Sequence, residues 1–244
     1  LIKLSVNINK IATVRNSRGG REPSVLDAAQ AIVEAGAPGL TVHPRADARH
    51  ITFTDVRDVS KYLGELGGKV EYNIEGDPRH DLLALVLEVK PTQCTLVPVR
   101  PGELTSEAGW STGTSSEVRS AVRQLRDAGI RVSLFVDPVD ASLRWAADNG
   151  ADRVELYTEP FARAFEHGDA KARSSFANYA KAAELAHSLG LGVNAGHDLD
   201  LENLALFKAL PHLDEVSIGH ALISHALFVG LERSVRDYLD ALAT

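Results

Sequence analysis

The chain of 244 residues has one cysteine, no methionine and only 6% aromatic residues. A single cysteine, Cys94, excludes an internal disulfide framework and any site built from several thiolates. It lies in the apolar run Cys94-Thr95-Leu96-Val97 and reads as a small core residue. No apolar segment approaches the roughly 20 residues that span a bilayer. Leu1-Ile2-Lys3-Leu4 lacks the apolar core of a signal peptide, so a cytoplasmic protein with no membrane partner is expected. Positive charge is also scarce: the net charge is −7, without the basic footprint that nucleic acid requires. No G-x-G-x-x-G turn follows the first apolar strand, which counts against a dinucleotide-binding open sheet. Neither H-x-H nor H-E-x-x-H occurs, so no compact zinc set is present and no metal is expected. Among the lysines only Lys10 falls near the C-terminal end of a strand, so an enzyme-bound Schiff base is not expected either.

What is there is a repeated phrase of helix, glycine and strand. It occurs at Glu34-Ala35-Gly36, Asp127-Ala128-Gly129, Asp148-Asn149-Gly150 and Ser188-Leu189-Gly190. Glycine after a helix supplies the left-handed cap, and the apolar run that follows reads as a buried parallel strand. About eight strand–helix alternations run through residues 1–244 without a compositional break, which predicts one α/β domain, a (β/α)8 TIM barrel. In this reading Lys10 to Pro23 is a loop, Thr54 opens a helix, and Phe161 to Ser174 is an inserted loop or short helix. Leu201 to Leu210 is a helix, and Ala221 to Leu242 is a long, broken final one.

In such a barrel the chemistry sits at the C-terminal ends of the strands. Asn7 and Asn9 end the first strand, and His43 and Arg45 leave the second, with Arg49 and His50 just beyond. Asn73 and Glu75 are two apart on the third and therefore share a face. A long polar loop after the fourth carries Thr105, Ser106 and Glu107. Asp137, Glu155, Thr158, Asn194 and His197 follow on later strands. Ser217-Ile218-Gly219-His220 ends the eighth strand and opens a helix, an arrangement suited to phosphate. Histidines, carboxylates and cations at one rim point to metal-free acid–base catalysis on a phosphorylated substrate.

The ordered motifs are more specific than their parts. Val6-Asn7-Ile8, Ile11 to Gly19, Thr41-Val42-His43-x-Arg45, Arg49-His50-Ile51-Thr52 and Asn73-Ile74-Glu75 are followed by Lys90-Pro91, Leu96-Val97-Pro98 and Thr105-Ser106-Glu107. Val193 to His197 and Ile218-Gly219-His220-Ala221 complete the set. Nearly end to end, the chain resembles the pyridoxine 5′-phosphate synthases, ring-closing transferases of vitamin B6 biosynthesis. The resemblance implies a barrel with extra helices, assembled as a homo-octamer, that needs no cofactor. It implies condensation of 3-amino-2-oxopropyl phosphate with 1-deoxy-D-xylulose 5-phosphate to give pyridoxine 5′-phosphate, phosphate and water. By this match His43 and Glu75 accept protons, His197 donates one, and Glu155 supplies a transition-state carboxylate. Asn7, Arg18, Gly219 and His220 hold the amino-ketone phosphate; Arg45, His50 and Thr105 hold the xylulose phosphate. Two departures stand out. Asn9-Lys10 replaces an Asp-His pair that touches the xylulose phosphate, which predicts altered affinity, and Asp198 replaces a glycine next to the active histidine. Other readings are a different phosphate-binding barrel isomerase or lyase, or a non-catalytic sugar-phosphate binder.

Overall fold

The computed structural model describes residues 1–99, 108–113 and 115–243. Eight parallel strands close into a barrel in sequence order. They are β1 (Lys3–Asn7), β2 (Gly39–Val42), β3 (Glu71–Gly76), β4 (Gln93–Leu96), β5 (Arg131–Val136), β6 (Arg153–Tyr157), β7 (Gly192–Gly196) and β8 (Leu213–Ile218), and β8 pairs back onto β1. The helices in chain order are α1 (Asn9–Asn16), α2 (Val25–Glu34), α3 (Phe53–Glu65), α4 (His80–Val89), α5 (Ser115–Asp127) and α6 (Asp140–Asp148). They continue with α7 (Glu159–Glu166), α8 (Asp169–Ser188), α9 (Leu204–Phe207), α10 (His220–Val229) and α11 (Leu231–Ala243). The TIM barrel with extra helices is therefore present.

Alternation along each strand divides the side chains into two sets. Leu4, Val6, Leu40, Val42, Ile74, Leu96, Val132, Leu134, Val154, Leu156, Val193 and Val216 are buried in the apolar core shared with the helices. The alternate residues face into the barrel and are mostly polar: Ser5, Thr41, Asn73, Thr95, Ser133, Glu155, Asn194 and Glu215 are all buried. Bonds between non-adjacent strands show that this second set fills the interior. Asn194 of β7 donates to Gln93 Oε1 of β4 at 3.4 Å, and Gln93 donates to Glu215 Oε1 of β8 at 3.5 Å. A polar interior is unusual for this fold, where branched apolar side chains commonly fill the axis.

All four glycines of the repeated phrase have positive φ: 105° at Gly36, 78° at Gly129, 82° at Gly150 and 79° at Gly190. The loop expected over Lys10 to Pro23 instead begins with helix α1, so Lys10 stands in a helical first turn. Thr52, not Thr54, starts α3, through a reciprocal capping box with Asp55. The segment Phe161 to Ser174 is almost entirely helical, divided between α7 and α8 at Gly168, where φ is 104°. Only the short α9 forms where a helix over Leu201 to Leu210 was expected. The final helix breaks at Gly230, with φ of 87°.

Candidate active site

A cavity of about 580 Å³ lies where the C-terminal ends of the strands meet. Of the residues singled out above, Asn7, Asn9, Lys10, His43, Arg45, His50, Glu75, Glu155, His197, Asp198, Gly219 and His220 line it. Arg18 does not: it stands exposed in the turn after α1, beyond the cavity wall. Thr105, with Ser106 and Glu107, lies outside the described residues. Asn73 and Asn194 sit below the cavity, in the barrel interior.

His43 follows β2 directly. Its backbone N–H donates to Asn9 Oδ1 at 2.8 Å, and its carbonyl accepts from Arg45 N at 3.0 Å. The chain therefore turns after Val42 rather than staying extended, and the turn brings Arg45 to the cavity. Arg79 clamps the turn by donating to the Pro44 carbonyl at 2.5 Å. His43 Nδ1 lies 3.8 Å from Glu75 Oε2, while its Nε2 is buried without a hydrogen-bond partner among the described residues. Burial holds this imidazole well below its ordinary pKa of 6.5, with further lowering from His50, Arg45, Arg79 and His197. His50 meets it edge to face at 6.0 Å between ring centres and accepts from Ile51 N at 2.9 Å. Burial, then Arg45, Lys10 and Arg49, push His50 down to about 4. Both rings are neutral at neutral pH.

The carboxyl groups shift the other way. Glu75 receives one long bond, from Asn7 Nδ2 at 3.4 Å. Burial pushes it up to about 8, and the nearby Glu215 adds to the rise. Glu155 is raised well above the ordinary range by burial, then by Glu75 and Glu215, and its Oε2 has no partner among the described residues. Gly196 leaves room for this carboxyl, since a Cβ there would stand 2.8 Å from Glu155 Oε1.

His197 is held in the left-handed region at φ 82°. Its ring packs between Phe135 at 4.9 Å and Tyr157 at 5.6 Å, and Thr158 Oγ1 donates to its carbonyl at 2.5 Å. Burial lowers its pKa, Asp198 opposes that, and Nδ1 is unpartnered among the described residues. On the neighbouring strand, Gly219 follows β8 and precedes α10. A Cβ there would meet Asn7 Cβ at 3.0 Å and Asn7 O at 3.1 Å, so any side chain at this position would press on Asn7 where β8 and β1 close up. The first turn of α10 lines the cavity and presents the positive end of the helix dipole to it.

The motif running from Ile11 to Gly19 proves to be a brace. Arg15 donates to both oxygens of Asp55, at 2.5 and 2.9 Å, and Asn16 Nδ2 donates to the His50 carbonyl at 2.8 Å. These bonds pin α1, and with it Lys10, against the loop that carries His50. Sequence reasoning gave no site role to Thr13 or Leu199, which line the cavity, and placed Arg49 only beside the site. It also gave Glu215 no role, although β8 alternates Glu215, Ser217, Gly219 along the inward face.

The chain matches the model of the family described as "Pyridoxal phosphate biosynthesis protein PdxJ" over residues 4–244. It belongs to that family. It is 51% identical over 244 residues to the pyridoxine 5′-phosphate synthase of Christiangramia forsetii, covering 99% of this chain and 100% of the relative. It is 52% identical over 244 residues to the enzyme of that name from Cytophaga hutchinsonii, covering 99% of each. The fold is also similar to that of phosphoribosyl anthranilate isomerase from Thermus thermophilus, with a TM-score of 0.59, 16% identity, and coverage of 99% of this chain and 98% of that chain.

Within the PdxJ family pattern the two departures now have local explanations. Asn9 uses an amide oxygen to accept the His43 N–H, a task an aspartate oxygen would do equally well. Lys10 stands on the cavity wall, where its ammonium can meet an anion as a point charge. Asp198 has φ 56°, a conformation that glycine adopts freely and aspartate tolerates better than most residues. Its carbonyl accepts from Asn203 Nδ2 at 2.9 Å, which steadies the turn.

Proposed function

We propose that the chain catalyses pyridoxine 5′-phosphate synthesis from 3-amino-2-oxopropyl phosphate and 1-deoxy-D-xylulose 5-phosphate, with release of phosphate and water. The observation that carries this reading is the set of four proton-transfer groups, the buried Glu75, Glu155 and His43 and the half-buried His197, around one cavity with phosphate-binding elements at its edge. The substrate amine and the partner ketone form the imine between themselves. This suits a cavity in which Lys10 is the one lysine among the described lining residues, placed where it can meet a phosphate. Each later loss of water or phosphate moves protons at fixed carbons, which requires several acids and bases of different strength.

In this reading the first turn of α10, Gly219, His220 and Asn7 hold the amino-ketone phosphate. Arg45, His50, Lys10 and Thr105 hold the xylulose phosphate, and Arg18 belongs to the amino-ketone site. His43 and Glu75 accept protons, His197 donates one, and Glu155 is the carboxyl group that acts in the transition state. The enzyme assembles as a homo-octamer and works in the cytoplasm. The test is to incubate the protein with both substrates and follow pyridoxine 5′-phosphate and inorganic phosphate together. Equal appearance of the two is expected. Phosphate binding without product would instead favour a sugar-phosphate-binding barrel, and turnover of a single phosphorylated substrate would favour an isomerase or lyase.

A further inference from the structure

Glu215 is a buried acid that the proposed chemistry does not use. It stands on the inward face of β8, 3% exposed. Donors from three other strands converge on it: Asn194 Nδ2 at 3.2 Å, Gln93 Nε2 at 3.5 Å and Arg153 Nη1 at 4.0 Å. The two carboxyls above it are poorly provided for. Glu75 has the single 3.4 Å bond from Asn7, and Glu155 Oε2 has no partner among the described residues. When like charges share one low-dielectric space they cannot all ionise, and the charge settles where donors are densest.

We propose that Glu215 is a positioning residue: it holds the resting negative charge of the carboxyl trio at the floor of the site and so keeps the proton on Glu75 until substrates arrive. This rests on the reading of Glu75 as a proton acceptor. The surrounding charges agree with the assignment. Lys3 of β1 and Arg131 of β5 both pair with Glu71 of β3, while Arg153 of β6 stands nearest Glu215, and Arg131 also acts on it through space. β4 and β7 contribute neutral amides, Gln93 and Asn194. Above, His43 and His197 are held neutral by burial. Burial raises Glu215 as well and Glu71 adds to the rise, but Arg153 and Arg131 oppose it, whereas burial and the Glu215 charge push Glu75 to about 8. The consequence is chemical. A carboxylate of ordinary pKa is a weak base at neutral pH, and the charge below Glu75 strengthens it toward the working range.

The test uses the infrared carbonyl band of protonated carboxyl groups in the substrate-free enzyme, assigned to Glu75 by its loss in Glu75→Gln. In wild type the band should titrate with a midpoint near 8. In Glu215→Gln the midpoint should fall by about one pH unit, which is tenfold in proton affinity. The rising limb of kcat/KM should move with it and its plateau should drop a few-fold, while Glu215→Asp, which keeps the charge, should retain the wild-type limb. An unmoved midpoint in Glu215→Gln overturns the proposal, as does a uniform loss of activity at every pH. Should Glu215→Gln fail to fold, wild type against Glu75→Gln near neutral pH decides: one protonated carboxyl fewer is expected in the variant, and an unchanged band overturns the proposal. The infrared readout needs no substrate, so a wrong substrate assignment would leave it intact while abolishing the turnover signal.

Discussion

The upper and lower halves of the barrel interior are built from the same kinds of residue and treat them oppositely. In the lower half Ser5, Thr41, Asn73 and Thr95 form a continuous chain of hydrogen bonds, with 2.6 Å between Ser5 and Thr41, 3.3 Å between Asn73 and Thr41, and 2.9 Å from Thr95 to Asn73. Beside them Arg131 joins Gln93 at 2.8 Å and also pairs with Glu71. In the upper half His43 Nε2, His197 Nδ1 and Glu155 Oε2 are buried without partners among the described residues. Ser133 Oγ is the lower half's exception. Leaving a buried polar atom unpaired costs about 1–3 kcal/mol. A protein that satisfies such atoms in one layer and not in the next is keeping the second set for a ligand. Polarity alone therefore does not mark a site inside a barrel; unmet hydrogen-bonding capacity does.

Substitutions in the two halves should divide into those that cost turnover and those that cost stability. The largest effect is expected for His197→Asn, which keeps a polar group but removes the titrating ring: steady-state kcat should fall about a hundred- to ten-thousand-fold with the thermal midpoint little changed. Arg131→Leu, in the paired half, should do the reverse. Stripping Glu71 and Gln93 of this donor should cost about 2 kcal/mol by denaturant unfolding, with kcat nearly intact. A large loss of kcat in Arg131→Leu would break the division. The smallest effect belongs to Asp198→Gly. Relief at φ 56° should stabilise the fold by under about 1 kcal/mol. Removing an acid from the cavity wall should lower KM for a phosphorylated substrate, and an unchanged or higher KM would show that this carboxylate points away from the phosphates.

The half that the sequence exposed most clearly is the upper one. His43, Glu75, His197 and Gly219 each stand at the end of a strand, so period and position suffice to place them at one rim. The glycine-capped helices were legible for a similar reason, because a left-handed cap has few chemical solutions. Helix α1 was not. Asn9–Asn16 carries Ile11, Thr13 and Val14, among the weaker helix formers, and its N-cap residue, Ile8, has no side-chain acceptor to offer. What holds it is tertiary, the Arg15–Asp55 and Asn16–His50 bonds, which no local pattern reveals. The start of α8 was hidden because Asp169 to Ser174 is charged and small, with no apolar stripe. Glu215 was hidden because its meaning depends on donors from β4, β6 and β7 that meet only when the barrel closes.

The measurement that bears most directly on this division is made on Glu75→Gln, with activity and stability followed across pH. Below the ordinary carboxylate range, folded and unfolded chains both hold the Glu75 proton. As pH rises toward about 8 the folded chain keeps a proton that the unfolded chain has released, so this residue costs stability increasingly, and above that pH the cost is constant. Glu75→Gln should therefore abolish formation of pyridoxine 5′-phosphate while its thermal midpoint gains on wild type as pH rises to 8. A variant that keeps turning over and melts lower than wild type throughout would place Glu75 among the paired, structural residues and contradict the account.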